Sequence, residues 1–137
     1  MMISTKGRYA LRVMVDIAEN SDGGYIPLKD IAEREEISEK YLESIIVVLS
    51  KAGLLDGLRG KGGGYRLTKA PEEYSVGEIL RLSEGSLSPV SCISHGKKCE
   101  RTSKCSTHPV WEKLDRIINE YLDGITLCDL IRSEDTR

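Results

Sequence analysis

Between Ser91 and Leu114 the chain reads SCISHGKKCERTSKCSTHPVWEKL, with six, five and two residues separating Cys92, Cys99, Cys105 and His108 in turn. Thiolates and neutral imidazole are ligands for soft and borderline metals. The segment has too few apolar side chains to order itself by burial, so a metal centre is its expected organiser. An ordinary surface loop with inert thiols is the alternative. Three cysteines and a histidine within seventeen residues weigh against it.

Structural zinc characteristically uses a close pair such as C-x-x-C, and only Cys105 and His108 are close here. Wide, uneven spacing suits an iron–sulfur cluster, whose larger body needs ligands spread around it. Zinc stays open. Pro109 is expected to bias His108 away from helical geometry and to start a helix after it, where the dipole favours a cluster's negative charge. His95 is a rival fourth ligand, set inside the loop. Cys128, between Leu127 and Leu130, is expected to be a small buried hydrophobe.

These ligands need a scaffold. A chain of 137 residues is the size of one ordinary domain with at most a small appendage, and 39% hydrophobic against 31% charged residues is globular composition. Phe is absent, so Leu, Ile, Val and Tyr must build the core. The start MMISTKGRYALRVM has no signal-peptide h-region, and no apolar run reaches bilayer-spanning length, so a cytoplasmic location and no membrane partner are expected. In a reducing compartment four cysteines read as ligands or free thiols rather than disulfides. The net charge of −2 does not itself favour nucleic acid. The distribution of charge decides.

Apolar residues at helical spacing predict a first helix from Thr5 to Asn20, whose opening carries Lys6, Arg8 and Arg12 and no acid. Pro27 starts a short second helix. Ser38 caps a third, with Leu42, Ile45, Ile46 and Leu49 as its stripe and Gly53 as its end. Two strands follow, Leu54 to Leu58 and Gly64 to Thr68, around a tip holding Arg59, Gly60 and Lys61. Helix, helix, helix, hairpin is the order of a winged helix. The fold class expected is thus mainly α with a small β-hairpin: a winged helix-turn-helix DNA-binding domain over residues 1–70, then a connecting helix (71–87), a cluster-binding loop (88–108) and a dimerisation helix with a short C-terminal helix (109–137). The stripe containing Trp111, Leu114, Ile118 and Tyr121 is the expected dimer face.

The glycine-rich tip leads from strand to strand, so it fits neither a P-loop nor a dinucleotide fingerprint. It suits a wing lying on a DNA backbone, with Arg59 directed into a narrow minor groove and Lys61 beside phosphate. Arg59, Lys61, Arg66 and Lys69 meet no acid between Gly57 and Lys69. On the third helix Ser38, Lys40 and Tyr41 suit phosphate contacts, while the Glu43 carboxylate can accept from the N4 amino group of cytosine. Lys6 and Arg8 add a basic patch for DNA.

The stretches ISTKGRYALRVMVDIA, PLKDIAEREEISEKYLESI, GLLDGLRGKGGGYRL and SVGEILRLSEG, with the Cys-Cys-Cys-His loop, resemble the bacterial winged-helix regulator family that includes IscR and NsrR. The resemblance runs to about Ile131. It implies a non-enzymatic homodimer that binds a partly palindromic promoter site in double-stranded DNA, with repression the expected sense. It also implies a cluster on Cys92, Cys99, Cys105 and His108, 2Fe–2S first and 4Fe–4S as the alternative, whose presence changes DNA binding. The competing functions are a metal-free thiol-sensing regulator of the same fold and an iron–sulfur electron carrier.

Overall fold

Ser4 begins the fold: its hydroxyl accepts from the Gly7 amide at 3.0 Å and so caps α1 (Thr5–Glu19). The structure, a computed structural model, describes residues 3–90 and 105–131. Ala10, Val13, Met14 and Ile17 recur at helical spacing and are fully buried, which puts α1 at the centre of the main core. Pro27 precedes α2 (Leu28–Glu35) in extended geometry, one position earlier than a first helical residue. The helix ends at Glu36, whose φ of 55° is the only positive non-glycine value among the described residues. That left-handed turn lets α3 (Glu39–Lys51) start three residues later. Ser38 caps it by accepting from the Tyr41 amide at 3.2 Å. Leu42, Ile45, Ile46 and Leu49 face the core, as their spacing predicts.

The wing is the antiparallel pair β1 (Leu55–Leu58) and β2 (Gly64–Leu67), with Leu55 opposite Leu67 and Leu58 opposite Gly64. A third backbone partner joins it. Ile26 and Tyr65 exchange N–H to carbonyl bonds, each 2.8 Å, so the segment before α2 anchors the outer strand. Gly64 (φ 149°) is required there, because a Cβ would run into the Ile26 carbonyl.

After a 3-10 turn at Pro71–Glu73 comes α4 (Val76–Glu84), closed by Ser75 with Glu78 as a capping box. Tyr74, fully buried, donates its hydroxyl to the Leu54 carbonyl at 2.8 Å and accepts from the Thr68 amide at 2.9 Å. It thereby ties the base of the hairpin to α4. A second small core of Val76, Leu80 and Leu87 lies under Ile118 and Leu122 of α5 (His108–Asp123). Arg81 fixes these two helices, donating to both Asp123 oxygens at 2.7 and 3.0 Å and to Asn119 Oδ1 at 2.6 Å. Thr126 caps α6 (Leu127–Leu130), and Leu127 returns to the main core.

Three expectations change. His108 is the first residue of α5, not a non-helical residue before it. Pro109 then occupies an early helical position, where its missing N–H is one that no helix satisfies internally. Cys128 is exposed, since Leu127 takes the inward position on that single turn. Ile118 turns toward its own chain.

Candidate DNA interface and metal-ligating helix end

The helix-turn-helix is set by polar locks between α1, α2 and α3. Asp16, 3% exposed, accepts from Arg34 Nε and Nη2 at 2.9 and 2.8 Å. That bidentate bond holds the Arg34 guanidinium above its ordinary pKa. Arg12 donates to the Glu35 carboxylate at 3.1 Å and to the Glu35 carbonyl at 2.6 Å. The same guanidinium lies 4.8 Å from the centre of the Tyr9 ring, and Tyr9 meets Tyr41 edge to face at 5.8 Å. Burial is the main cause that raises the Glu35 carboxyl, aided by Asp16 and opposed by Arg12. Tyr41 is therefore part of the lock as well as of the helix surface.

Outside this lock α3 shows Lys40, Glu43 and Ser44 to solvent, with Val47 one turn beyond Glu43 and 48% exposed. Lys40 and Glu43 make no hydrogen bond or ion pair among the described residues. At the wing tip Arg59 and Lys61 are likewise exposed and unpaired among the described residues, and Gly60 (φ 92°) and Gly62 (φ 78°) make the turn. Arg66 and Lys69 do not join them. Arg66 donates to Asp56 at 3.2 Å and lies 4.4 Å over the Tyr25 ring. The Tyr25 hydroxyl donates to the same carboxylate at 3.0 Å, which raises its pKa. Lys69 pairs with Glu78 at 3.5 Å. Asp56 lies one residue before the acid-free stretch, so the free positive charge of the wing is Arg59 and Lys61. On α1, Arg8 is exposed and Lys6 half-buried.

The exposed stripe of α5 is Val110, Leu114, Ile117 and Tyr121, with fractions of 57, 36, 52 and 67%. Leu114 and Tyr121 of the expected dimer set are in it, Trp111 is half-buried, and Ile118 packs on the second core. Val110 and Ile117 complete the stripe.

Cys92, Cys99 and the rival ligand His95 lie outside the described residues. Cys105 and His108 stand together at the start of α5, with the His108 amide directed to the Cys105 carbonyl at 3.4 Å. Cys105 Sγ is 3.2 Å from Thr107 Oγ1. His108 is 7% exposed; its Nε2 is 2.7 Å from Glu112 Oε1, and its Nδ1 is buried without a hydrogen-bond partner among the described residues. An orphaned imidazole nitrogen is costly in a packed site unless something binds it. The described residues thus offer a metal group two donors, the Cys105 thiol and the His108 imidazole. Among the described residues no three ligating side chains converge. Glu112 is absent from the set that the cysteine and histidine spacing singles out, although its position four residues after His108 is a visible signal.

Residues 3–133 match the profile of the Rrf2 family, described as an iron-dependent transcriptional regulator. The chain belongs to the Rrf2 family. Its relatives include the HTH-type transcriptional regulator IscR of Aliivibrio salmonicida, 42% identical over 96% of this chain and 77% of that one. The solved structure of CymR, the global cysteine regulator of B. subtilis, superposes with a TM-score of 0.80 at 37% identity, covering 96% of each chain. T. potens IscR gives 0.76 at 39% identity, over 100% of this chain and 89% of that one. An Rrf2 chain is a DNA-binding transcriptional regulator and not an enzyme. Among the described residues no helix is long and apolar enough to cross a membrane.

Proposed function

We propose that this Rrf2 protein is a homodimeric cytoplasmic repressor that senses iron–sulfur status or oxidants through a cluster held by Cys92, Cys99, Cys105 and His108, in 2Fe–2S form. The observation that carries the reading is His108: nine-tenths buried, one nitrogen engaged and the other without a partner among the described residues, one turn from a thiol. The cluster, when bound, supplies a redox- and supply-sensitive cross-link between the loop and α5. Everything else is done by the chain. His108 opens the helix that presents Val110, Leu114, Ile117 and Tyr121 to a second copy, whose two-fold pairing lets two α3 helices reach successive major grooves. Arg81 makes α5 move with α4. Glu84 at the end of α4 accepts from the Ser4 hydroxyl at 2.6 Å and from its amide at 3.0 Å, at the root of α1 and its basic patch. A change in how residues 105–108 are held is thus passed to the DNA-binding face through packed helices.

Anaerobic purification followed by iron and sulfide analysis tests this. Alanine at Cys92, Cys99 or Cys105 should each remove visible absorbance, and full iron and sulfide content in one of them removes that residue from the set. Iron-free protein whose operator binding still responds to thiol oxidation points to the metal-free sensor instead.

A further inference from the structure

The two nitrogens of His108 are not equivalent. Nε2 meets the Glu112 carboxylate at 2.7 Å one turn along α5, while Nδ1 is buried and has no hydrogen-bond partner among the described residues. An ionised carboxylate only accepts hydrogen bonds, so the ring proton belongs on Nε2 and the lone pair on Nδ1. We propose that Glu112 is a positioning residue that holds His108 in the Nε2–H tautomer and so presents Nδ1 as the atom that ligates the metal centre. This rests on the reading of His108 as a ligand. It adds a residue outside the Cys-Cys-Cys-His set and fixes which atom binds.

The geometry separates this pair from an ordinary surface ion pair. A pair four residues apart on an exposed helix face contributes little, because both groups are as well solvated apart as together. Here the imidazole is 9% exposed, and only the carboxylate, at 55%, reaches water. The ring cannot exchange its partner for solvent, so the hydrogen bond decides its orientation and tautomer. The Glu112 side chain also makes the imidazole a stronger donor, as carboxylate–histidine pairs do at metal sites. Cluster retention and reduction potential therefore both depend on a residue that touches no metal.

The test uses the full chain in two states. Long-range 15N–1H correlation spectra of apo protein read the tautomer directly, and anaerobic reconstitution with ferrous iron and sulfide reads retention against a chelator. Wild type should show Nε2–H at His108. Glu112→Gln keeps an acceptor oxygen and should keep the tautomer, with a raised reduction potential. Glu112→Ala should give mixed tautomers and lose iron about 10-fold faster, in line with loss of a supporting hydrogen bond at a metal ligand. A ring proton on Nδ1 in wild type, or unchanged tautomer and retention in Glu112→Ala, overturns the proposal. Wild type with Nε2–H that takes up no iron overturns the cluster reading, and the ligand role of Nδ1 falls with it.

Discussion

Arg34 grips Asp16 through two hydrogen bonds of 2.9 and 2.8 Å, and the Asp16 side chain is 2% exposed while that of Arg34 keeps 38%. The contact joins α2 to α1 within the helix-turn-helix. Removing the arginine strands a buried carboxylate. Arg34→Ala should therefore lower unfolding free energy by about 3 kcal/mol, at the lower end for a broken buried pair because one edge of the guanidinium stays in water. Adding Asp16→Asn should recover part of that loss, which urea titration of the single and double variants will measure.

Glu35 predicts a pH dependence. Burial raises its carboxyl above the ordinary 4.5, so the native state holds this proton more tightly than the unfolded chain. The associated stability is complete below 4.5 and is lost as pH rises through the higher native value. Glu35→Gln cannot ionise and should lack this fall. The urea midpoint of wild type minus that of Glu35→Gln should decrease as pH rises from below 4.5 into the range above it. A flat difference would show that burial does not act on this carboxyl.

The proposed dimer face on α5 can be tested apart from folding. Ile117 is 52% exposed, whereas its neighbour Ile118 packs on Val76, Leu80 and Leu87. Ile117→Glu with Leu114→Glu should leave the thermal midpoint nearly unchanged and give monomers in sedimentation, with weaker operator binding. Ile118→Glu should instead lower stability by about 3 kcal/mol through a charge in the second core.

The wing and α3 should leave different signatures on DNA. Lys61→Ala should weaken all sites about equally and reduce the salt slope by roughly one unit for each phosphate left without its lysine. Arg66→Ala should leave that slope unchanged, since Asp56 already neutralises Arg66. Glu43→Ala should relax preference at one base pair per half-site. Binding of the three variants to a half-site library at several salt concentrations checks all of this, and an unchanged base preference for Glu43→Ala removes it as a reader.

Most elements are legible in the sequence because caps and stripes are local. Ser4, Ser38, Ser75 and Thr126 cap where a short polar side chain precedes an apolar period. Contacts between distant segments are not. The Ile26 bridge to Tyr65 has no periodicity to announce it, and the pairing of Arg66 with Asp56 depends on strand register. Ile117 and Ile118 read alike in sequence. Only the packing of α5 on α4 shows which of them faces solvent. Of the candidate ligands, Cys105 and His108 stand together, and the buried state of the His108 ring cannot be read from its polar neighbours.

If a cluster held at the start of α5 controls the reading head, removing it must change how the protein binds DNA. Operator affinity should be measured by anaerobic titration of one protein preparation, first with iron and sulfide bound in equal amounts and then after their removal by chelator, alongside Cys105→Ala. Removal should change affinity or base preference, and Cys105→Ala should match the cluster-free protein from the outset. Identical binding curves for loaded, stripped and Cys105→Ala protein would contradict control by the cluster.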